Sequence, residues 1–360
     1  MKVAYLLTQD RGGPVDVTVR LAATLAASGE AEVRVFGPLP ARGAELVADL
    51  HELVSVSSKG DLRAGRQARE ALRDWQPDVV HAQDRRAGLV SAGLRLRHKV
   101  VQTYHGLPDD VSEAWSRGTP GAAGPSKYTR TVLAADAGVA RFVHRTVVPA
   151  TSMGEFLHRR LRVPARRVVH IDNCVEIPEA APPSGPVRRL VFVGLLVERK
   201  GFPVLLDALA GVMPDDATLT VIGDGPLRVA AEQRARQLLP GRVTFLGFRP
   251  DVAHQLRLHD ALVLPSLLEQ QPLVVAEAMA AGKPVVATDT GGVAEMLVDE
   301  AVLAAPGDVE GLAVCLKALF AEPDPGRLGR AAARRARERF APEVCARRHL
   351  ALYRDLLAGG

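Results

Sequence analysis

Pro265-Ser266-Leu267-Leu268-Glu269-Gln270-Gln271-Pro272-Leu273-Val274-Val275-Ala276-Glu277-Ala278-Met279-Ala280-Ala281-Gly282-Lys283-Pro284 reads as a strand end, a loop, a helix and a stop. A short apolar strand at 261–264 runs into it, and Pro272 has the fixed φ that suits the first turn of a helix. Gly282 and Pro284 end that helix. Glu269 is therefore expected in the loop just before the helix, at the carboxyl edge of a sheet, and Glu277 one to two turns inside it. The first N–H groups of a helix lack intrahelical acceptors, so this helix start is a natural seat for phosphate.

The same rhythm of short apolar strands and helical patterns extends in both directions, which argues for parallel sheets built from βαβ units. Strands are predicted at 3–7, 33–36, 79–81, 100–104, 146–148 and 168–171, with helices such as 15–27 and 61–75 between them. Pro178-Glu179-Ala180-Ala181-Pro182-Pro183-Ser184-Gly185-Pro186 then interrupts the pattern. Four prolines in nine residues continue neither a helix nor an inner strand, so 178–187 is read as a linker. A second series of strands follows at 190–193, 218–222, 243–245, 261–264, 285–287 and 301–303.

A chain of 360 residues exceeds what one hydrophobic core organises. The expectation is two doubly wound domains, 1–177 and 188–341, with ligands held at the carboxyl ends of their strands in a cleft. The tail reads as two helices parted near Pro342, the last of which (342–360) crosses back to brace the first domain.

Composition is globular, with 47% hydrophobic and 24% charged residues; at 4% aromatic, the cores must be built from Leu, Val and Ala. No apolar stretch approaches the ~20 residues that span a bilayer. The N-terminal apolar run is followed by no small-residue cleavage site and reads as a first strand. Cys174, Cys315 and Cys345 give neither a zinc spacing nor a disulfide framework, which points to a reducing cytoplasm.

The net charge of +5 lies in the first half, where residues 1–179 carry 25 Lys and Arg against 20 Asp and Glu. Solvated helix faces are the plain explanation. A surface for an anionic acceptor, or a peripheral contact with the inner face of the membrane, is the other. Nucleic acid is not expected, because no aromatic residues interleave with the basic runs.

In its context the Glu269 to Pro284 stretch resembles glycosyltransferase family 4, the retaining enzymes of the GT-B fold. The match falls on Glu269, Pro272, Glu277, Ala278, Met279, Ala280, Gly282 and Pro284, then on Gly291 and Gly292. Val193-Gly194 through Arg199-Lys200-Gly201 is similar to the family's first donor-domain strand and loop. Val221 to Pro226 and Val243 to Gly247 resemble the next two strand ends. Pro77 to His81, Thr103-Tyr104-His105-Gly106 and Arg11-Gly12-Gly13 resemble the acceptor domain's strand ends and glycine loop. Three positions depart: Leu195 where the family often has Arg, Gln270-Gln271 in place of Gly-Phe, and Asn173-Cys174 in place of Asn-Gly.

The resemblance implies a donor that is a nucleoside-diphosphate sugar, UDP favoured over GDP, and a glycan, lipid or small-molecule acceptor. It implies that Lys200, Arg199 and the helix start after Gln271, including Pro272 and Leu273, meet the diphosphate, and that Glu277 accepts from ribose hydroxyls. Glu269 and His105 would contact the transferred sugar. Gly12, Gly13 and Gly194 would allow close backbone approach, while Asp224 and Gly225 would shape a turn. His81 leaves a structural and a functional reading open. No Asp-x-Asp motif occurs, in keeping with a reaction needing neither metal nor cofactor. Other GT-B enzymes (an epimerase, an inverting transferase) and a non-catalytic sugar-nucleotide-binding partner are the competing readings. A dinucleotide oxidoreductase is weaker, since no Gly-x-Gly-x-x-Gly opens either domain.

Overall fold

The computed structural model describes residues 1–56, 61–297 and 303–359. The chain forms two compact units: Met1–Val175 together with Ala341–Gly360, and Glu176–Phe340.

The first unit is built on β1 (Lys2–Leu6), β2 (Glu32–Gly37), β3 (His51–Leu53), β4 (Val79–Ala82), β5 (Lys99–Thr103), β6 (Arg145–Val148) and β7 (Val168–His170). All pairs are parallel, in the order β3-β2-β1-β4-β5-β6-β7. The order reverses between β1 and β4, whose register sets Val3 against Val79. Every residue of β4, and all of β1 beyond Lys2, is buried, as expected of parallel strands covered by helices on both faces. β3 was not anticipated. It is a three-residue edge strand with Leu53 74% exposed, so it carries no buried run for a sequence pattern to show.

Helix Pro342–Ala358 belongs to this unit and buries Cys345, His349, Leu350, Tyr353 and Leu356. Tyr353 carries it into the core. Its hydroxyl lies 3.1 Å from Tyr5 Oη and 2.6 Å from His81 Nδ1, and His81 Nε2 lies 2.8 Å from Thr103 Oγ1. His81 is thus wholly buried with both ring nitrogens partnered, which settles its open reading as structural. His349 Nδ1 sits 2.9 Å from the Cys345 carbonyl, one turn back along its helix.

The second unit is built on β8 (Arg189–Val193), β9 (Thr218–Ile222), β10 (Val243–Gly247), β11 (Ala261–Leu264), β12 (Val285–Thr288) and β13 (Leu303–Ala304). These are again parallel, in the order β10-β9-β8-β11-β12-β13, with the reversal between β8 and β11. Of the strand predicted at 301–303, residues 301 and 302 lie outside the described residues. Phe192, Phe202 and Phe245 stack edge to face in its core, with Phe202 centroids 5.0 and 5.8 Å from the other two.

The proline-rich segment at 178–187 falls within this second unit. Ala181 N–H donates to Ala281 O at 2.9 Å, and the Lys283 ammonium donates to the carbonyls of Ala181 and Arg257. Lys283 is 3% exposed, and that burial lowers its pKa to about 8.

The buried imidazoles of the first unit make its stability depend on pH. Burial holds the pKa of His349 down to about 4 and that of His81 well below its usual value. Both regain an ordinary value near 6.5 when the chain unfolds, so the unfolded state takes up protons first as pH falls. Stability is complete above pH 6.5 and should fall by about 1.4 kcal/mol per imidazole per pH unit below it. Trp75 and Trp115 both lie in this unit. A urea midpoint followed by tryptophan fluorescence should therefore drop between pH 6.5 and 5.5; a constant midpoint would contradict the assignment.

Candidate active site

In doubly wound sheets, ligands collect outside the carboxyl ends of the strands where the order reverses. In the second unit these ends belong to β8 and β11. Past β8, Gly194 N–H donates to Ile222 O at 2.9 Å, and the chain passes Leu195, 56% exposed, into the single turn Glu198–Lys200. Gly201 follows at φ +62°, where a Cβ would stand 2.0 Å from Pro265 O. Only glycine lets the loops after β8 and β11 meet backbone to backbone. Leu267 N–H seals the contact by donating to Arg199 O at 2.7 Å.

A matching contact closes the other side. Gly291, in the loop after β12, has φ +56°, and a Cβ there would lie 2.1 Å from Glu269 O. Gly292 N–H donates to Gln270 O at 2.6 Å. The Glu269 loop is therefore clamped between the loops of both neighbouring strands.

Inside the clamp the Glu269 carboxylate is 8% exposed. Ser266 Oγ donates to its Oε1 at 2.8 Å, the Lys200 ammonium donates to the same oxygen, and Glu269 N–H donates to Thr290 Oγ1 at 3.1 Å. Thr288 Oγ1 fixes the loop further by donating to Ser266 O. The Lys200 side chain is 12% exposed. A charge-assisted pair held this far from water interacts strongly and in one geometry.

Four residues beyond Glu269, Leu273 begins helix Leu273–Ala280, with Pro272 at its cap. Gly282, at φ +76°, ends it: Gly282 N–H donates to Met279 O and Lys283 N–H to Ala278 O, both at 2.9 Å. Glu277 is half-buried in the second turn, and Gln271 is buried just ahead of the first. One rim thus carries an ammonium, a carboxylate and a helix start, with Glu277 in the second turn of that helix. Such a set can hold a diphosphate and accept hydrogen bonds from sugar hydroxyls.

Asp224 and Gly225, at the end of β9, brace this rim. Gly225 N–H donates to Asp224 Oδ1 at 2.7 Å, and Leu196 N–H donates to Asp224 O at 2.9 Å. The Gly225 N–H, followed by Arg228, holds the Asp224 carboxyl below its usual range.

The first unit presents a separate group of the anticipated residues. Gly12, at φ +103°, caps helix Gly13–Ala27, and its carbonyl accepts from Asp16 N–H at 3.1 Å. His105 lies half-buried just past β5, its Nε2 3.1 Å from Gln83 Oε1. Burial, and then the imidazole of His349, lower the His105 pKa to about 4, so the ring is neutral at physiological pH.

Several residues here escaped the sequence reading. Thr8 donates through both its N–H and its Oγ1 to the Asp84 carboxylate, each at 2.7 Å, and Asp84 also caps helix Arg85–Ala92 through Ala87 N–H. This ties the ends of β1 and β4 together at the reversal point. Gln83 and Asp84 lie two and three residues past the predicted strand at 79–81, which was the available signal. Ser266, Thr288 and Thr290 carried none beyond being polar residues at strand ends.

Two family descriptions match the chain: "Glycosyltransferase Family 4" over residues 11–178 and "Glycosyl transferases group 1" over residues 187–322. A glycogen synthase from Mycobacterium tuberculosis is 30% identical over 279 residues, covering 74% of this chain and 64% of that protein. A 2-deoxystreptamine glucosyltransferase from Streptomyces kanamyceticus is 32% identical over 239 residues, covering 64% of this chain and 57% of that protein. The match thus spans less than two thirds of the length of either relative. Among solved structures, Anabaena Alr3699/HepE in complex with UDP and glucose superposes with a TM-score of 0.80 at 20% identity, covering 99% of this chain and all of the other. With both halves matched in sequence and nearly the whole length matched in fold, the chain belongs to glycosyltransferase family 4, the group 1 glycosyl transferases, and has the GT-B fold.

Proposed function

We propose that this protein is a metal-independent, retaining glycosyltransferase that moves a sugar from a nucleoside diphosphate, UDP favoured over GDP, to a hydroxyl of a glycan, lipid or small molecule. The observation that carries this reading is the buried Lys200–Glu269 pair, clamped at the reversal point of the second sheet beside a helix start. UDP and glucose occupy the solved structure of the Anabaena protein, which favours a uridine donor.

Departure of the diphosphate leaves an electron pair and negative charge on its β-phosphate oxygen as the bond to the sugar's anomeric carbon breaks. Lys200 and the first N–H groups of helix Leu273–Ala280 stabilise that charge at low dielectric, the task a divalent ion would otherwise perform. Arg199 adds a second cation where Leu195 replaces the family's arginine. Glu277 accepts from the ribose hydroxyls, while Glu269 and the neutral His105 hydrogen-bond the sugar. The acceptor oxygen attacks from the face the diphosphate leaves, and its proton passes to the departing phosphate oxygen, so configuration is kept.

The first unit, with its positive excess, offers the acceptor side and a peripheral contact with an anionic membrane face. Among the described residues no helix is long and apolar enough to cross a membrane. A cytoplasmic location fits these features.

A screen of UDP- and GDP-sugars for released nucleoside diphosphate tests the activity, and recovery of an epimerised donor with no acceptor product would favour an epimerase instead. With the donor so found, Lys200→Ala should lower kcat by about 10²–10³-fold, the range for losing one donor to a developing anion. Glu277→Ala should raise the donor KM by about 10–100-fold, as expected for losing hydrogen bonds to a charged group. Unchanged kinetics in both variants would refute the site. Turnover after exhaustive dialysis against EDTA should equal that of untreated protein, and a loss restored by Mg²⁺ would refute metal independence.

A further inference from the structure

Gln83 directly follows β4 in the first unit and is 1% exposed. Its N–H donates to Leu6 O at 3.0 Å, its Oε1 lies 3.1 Å from His105 Nε2, and its Nε2 is buried with no hydrogen-bond partner. A buried carboxamide with one end unmatched is a net cost to the fold, which an apolar side chain of the same size would not incur. What the carboxamide supplies in return is its contact with the imidazole.

The backbone around His105 is fixed by other groups. Tyr104 N–H donates to Val147 O at 2.8 Å, and Arg85 Nη2 donates to Gly106 O at 2.6 Å. Arg85 Nε and Tyr104 Oη both donate to Asp136 Oδ2 at 2.9 Å, which holds the arginine in place. None of these touches the ring. Among the described residues Gln83 is the hydrogen-bonding partner of the imidazole itself.

We propose that Gln83 is a positioning residue, which holds the Nε2 edge of His105 so that one tautomer presents its Nδ1 edge to a hydroxyl of the transferred sugar. With the Gln83 carbonyl facing the ring, Nε2 carries the proton and Nδ1 is left as an acceptor. The inference rests on the reading of His105 as a sugar contact. The charged or titratable groups that bear on the ring are His349 of helix Pro342–Ala358 and His81 of β4, both held neutral by burial. The lock therefore operates on a neutral ring across the physiological range.

Three variants of the full chain, Gln83→Met, Gln83→Glu and His105→Ala, test it, with UDP-glucose as the probe and released UDP as the rate. Selective ¹⁵N-histidine labelling should show the wild-type His105 ring as a single neutral tautomer with Nε2 protonated from pH 7.5 to 5. Gln83→Met should convert it to a mixture of tautomers and lower kcat about tenfold, with the UDP-glucose KM within twofold and the urea midpoint unchanged or raised. Gln83→Glu should stabilise the imidazolium and bring the titration of His105 into the pH 5–8 range. A single tautomer persisting in Gln83→Met, or a lowered urea midpoint with turnover intact, would overturn the proposal in favour of a purely structural glutamine. Loss of turnover in His105→Ala but not in Gln83→Met would also overturn it while sparing the sugar contact. Full turnover in His105→Ala would instead overturn the role of His105 on which it rests.

Discussion

The organisation of the second unit turns on one buried ion pair. Lys200 and Glu269 leave different strands, β8 and β11, and meet where water is largely excluded. Taking two charges out of water is costly, and the pair offsets this only because further hydrogen bonds, from Ser266 Oγ to the carboxylate and from Glu269 N–H to Thr290, hold the carboxylate and its loop in one geometry. Removing one partner of such a pair typically costs about 3–5 kcal/mol, since a buried charge is left alone. Their meeting requires the close backbone approaches at Gly201 and Gly291. The chemistry of the rim is thus written as much in two glycines as in the charged residues they bring together.

The pair also bears on the proposed binding of a donor. On the function proposed above, the ammonium is already desolvated and oriented when a diphosphate replaces the carboxylate as its partner. On that same proposal Glu269, released from the lysine, accepts from sugar hydroxyls. The first unit is likewise held at its strand ends by polar contacts. Asp84 joins the ends of β1 and β4 through Thr8, Arg85 fixes the turn after β5, and burial keeps His105 uncharged.

Much of this was legible in the sequence because it depends on local chemistry. Pro272 and Gly282 bounded the helix to within a residue, and the apolar runs at 190–193 and 261–264 coincide with strands that flank the reversal point. What was hidden depends on tertiary contact. Lys200 and Glu269 are 69 residues apart, and no spacing rule joins them. The Tyr353–His81 contact spans 272 residues, which is why His81 could be read either way before the C-terminal helix was seen packed over it. The edge strand β3 lacks a buried pattern, and the proline-rich segment gave no hint that Lys283 would strap it to the second unit. The polar supports, Ser266, Thr290 and Gln83, are ordinary residues whose meaning comes from the groups they face.

The central claim is that Lys200 and the start of helix Leu273–Ala280 take up the charge of a departing diphosphate. A crystal structure of the full chain with UDP bound tests it most directly. A β-phosphate oxygen should lie within about 3 Å of both Lys200 Nζ and a first-turn N–H of that helix. A diphosphate bound away from both, with the Lys200–Glu269 pair undisturbed, would contradict it.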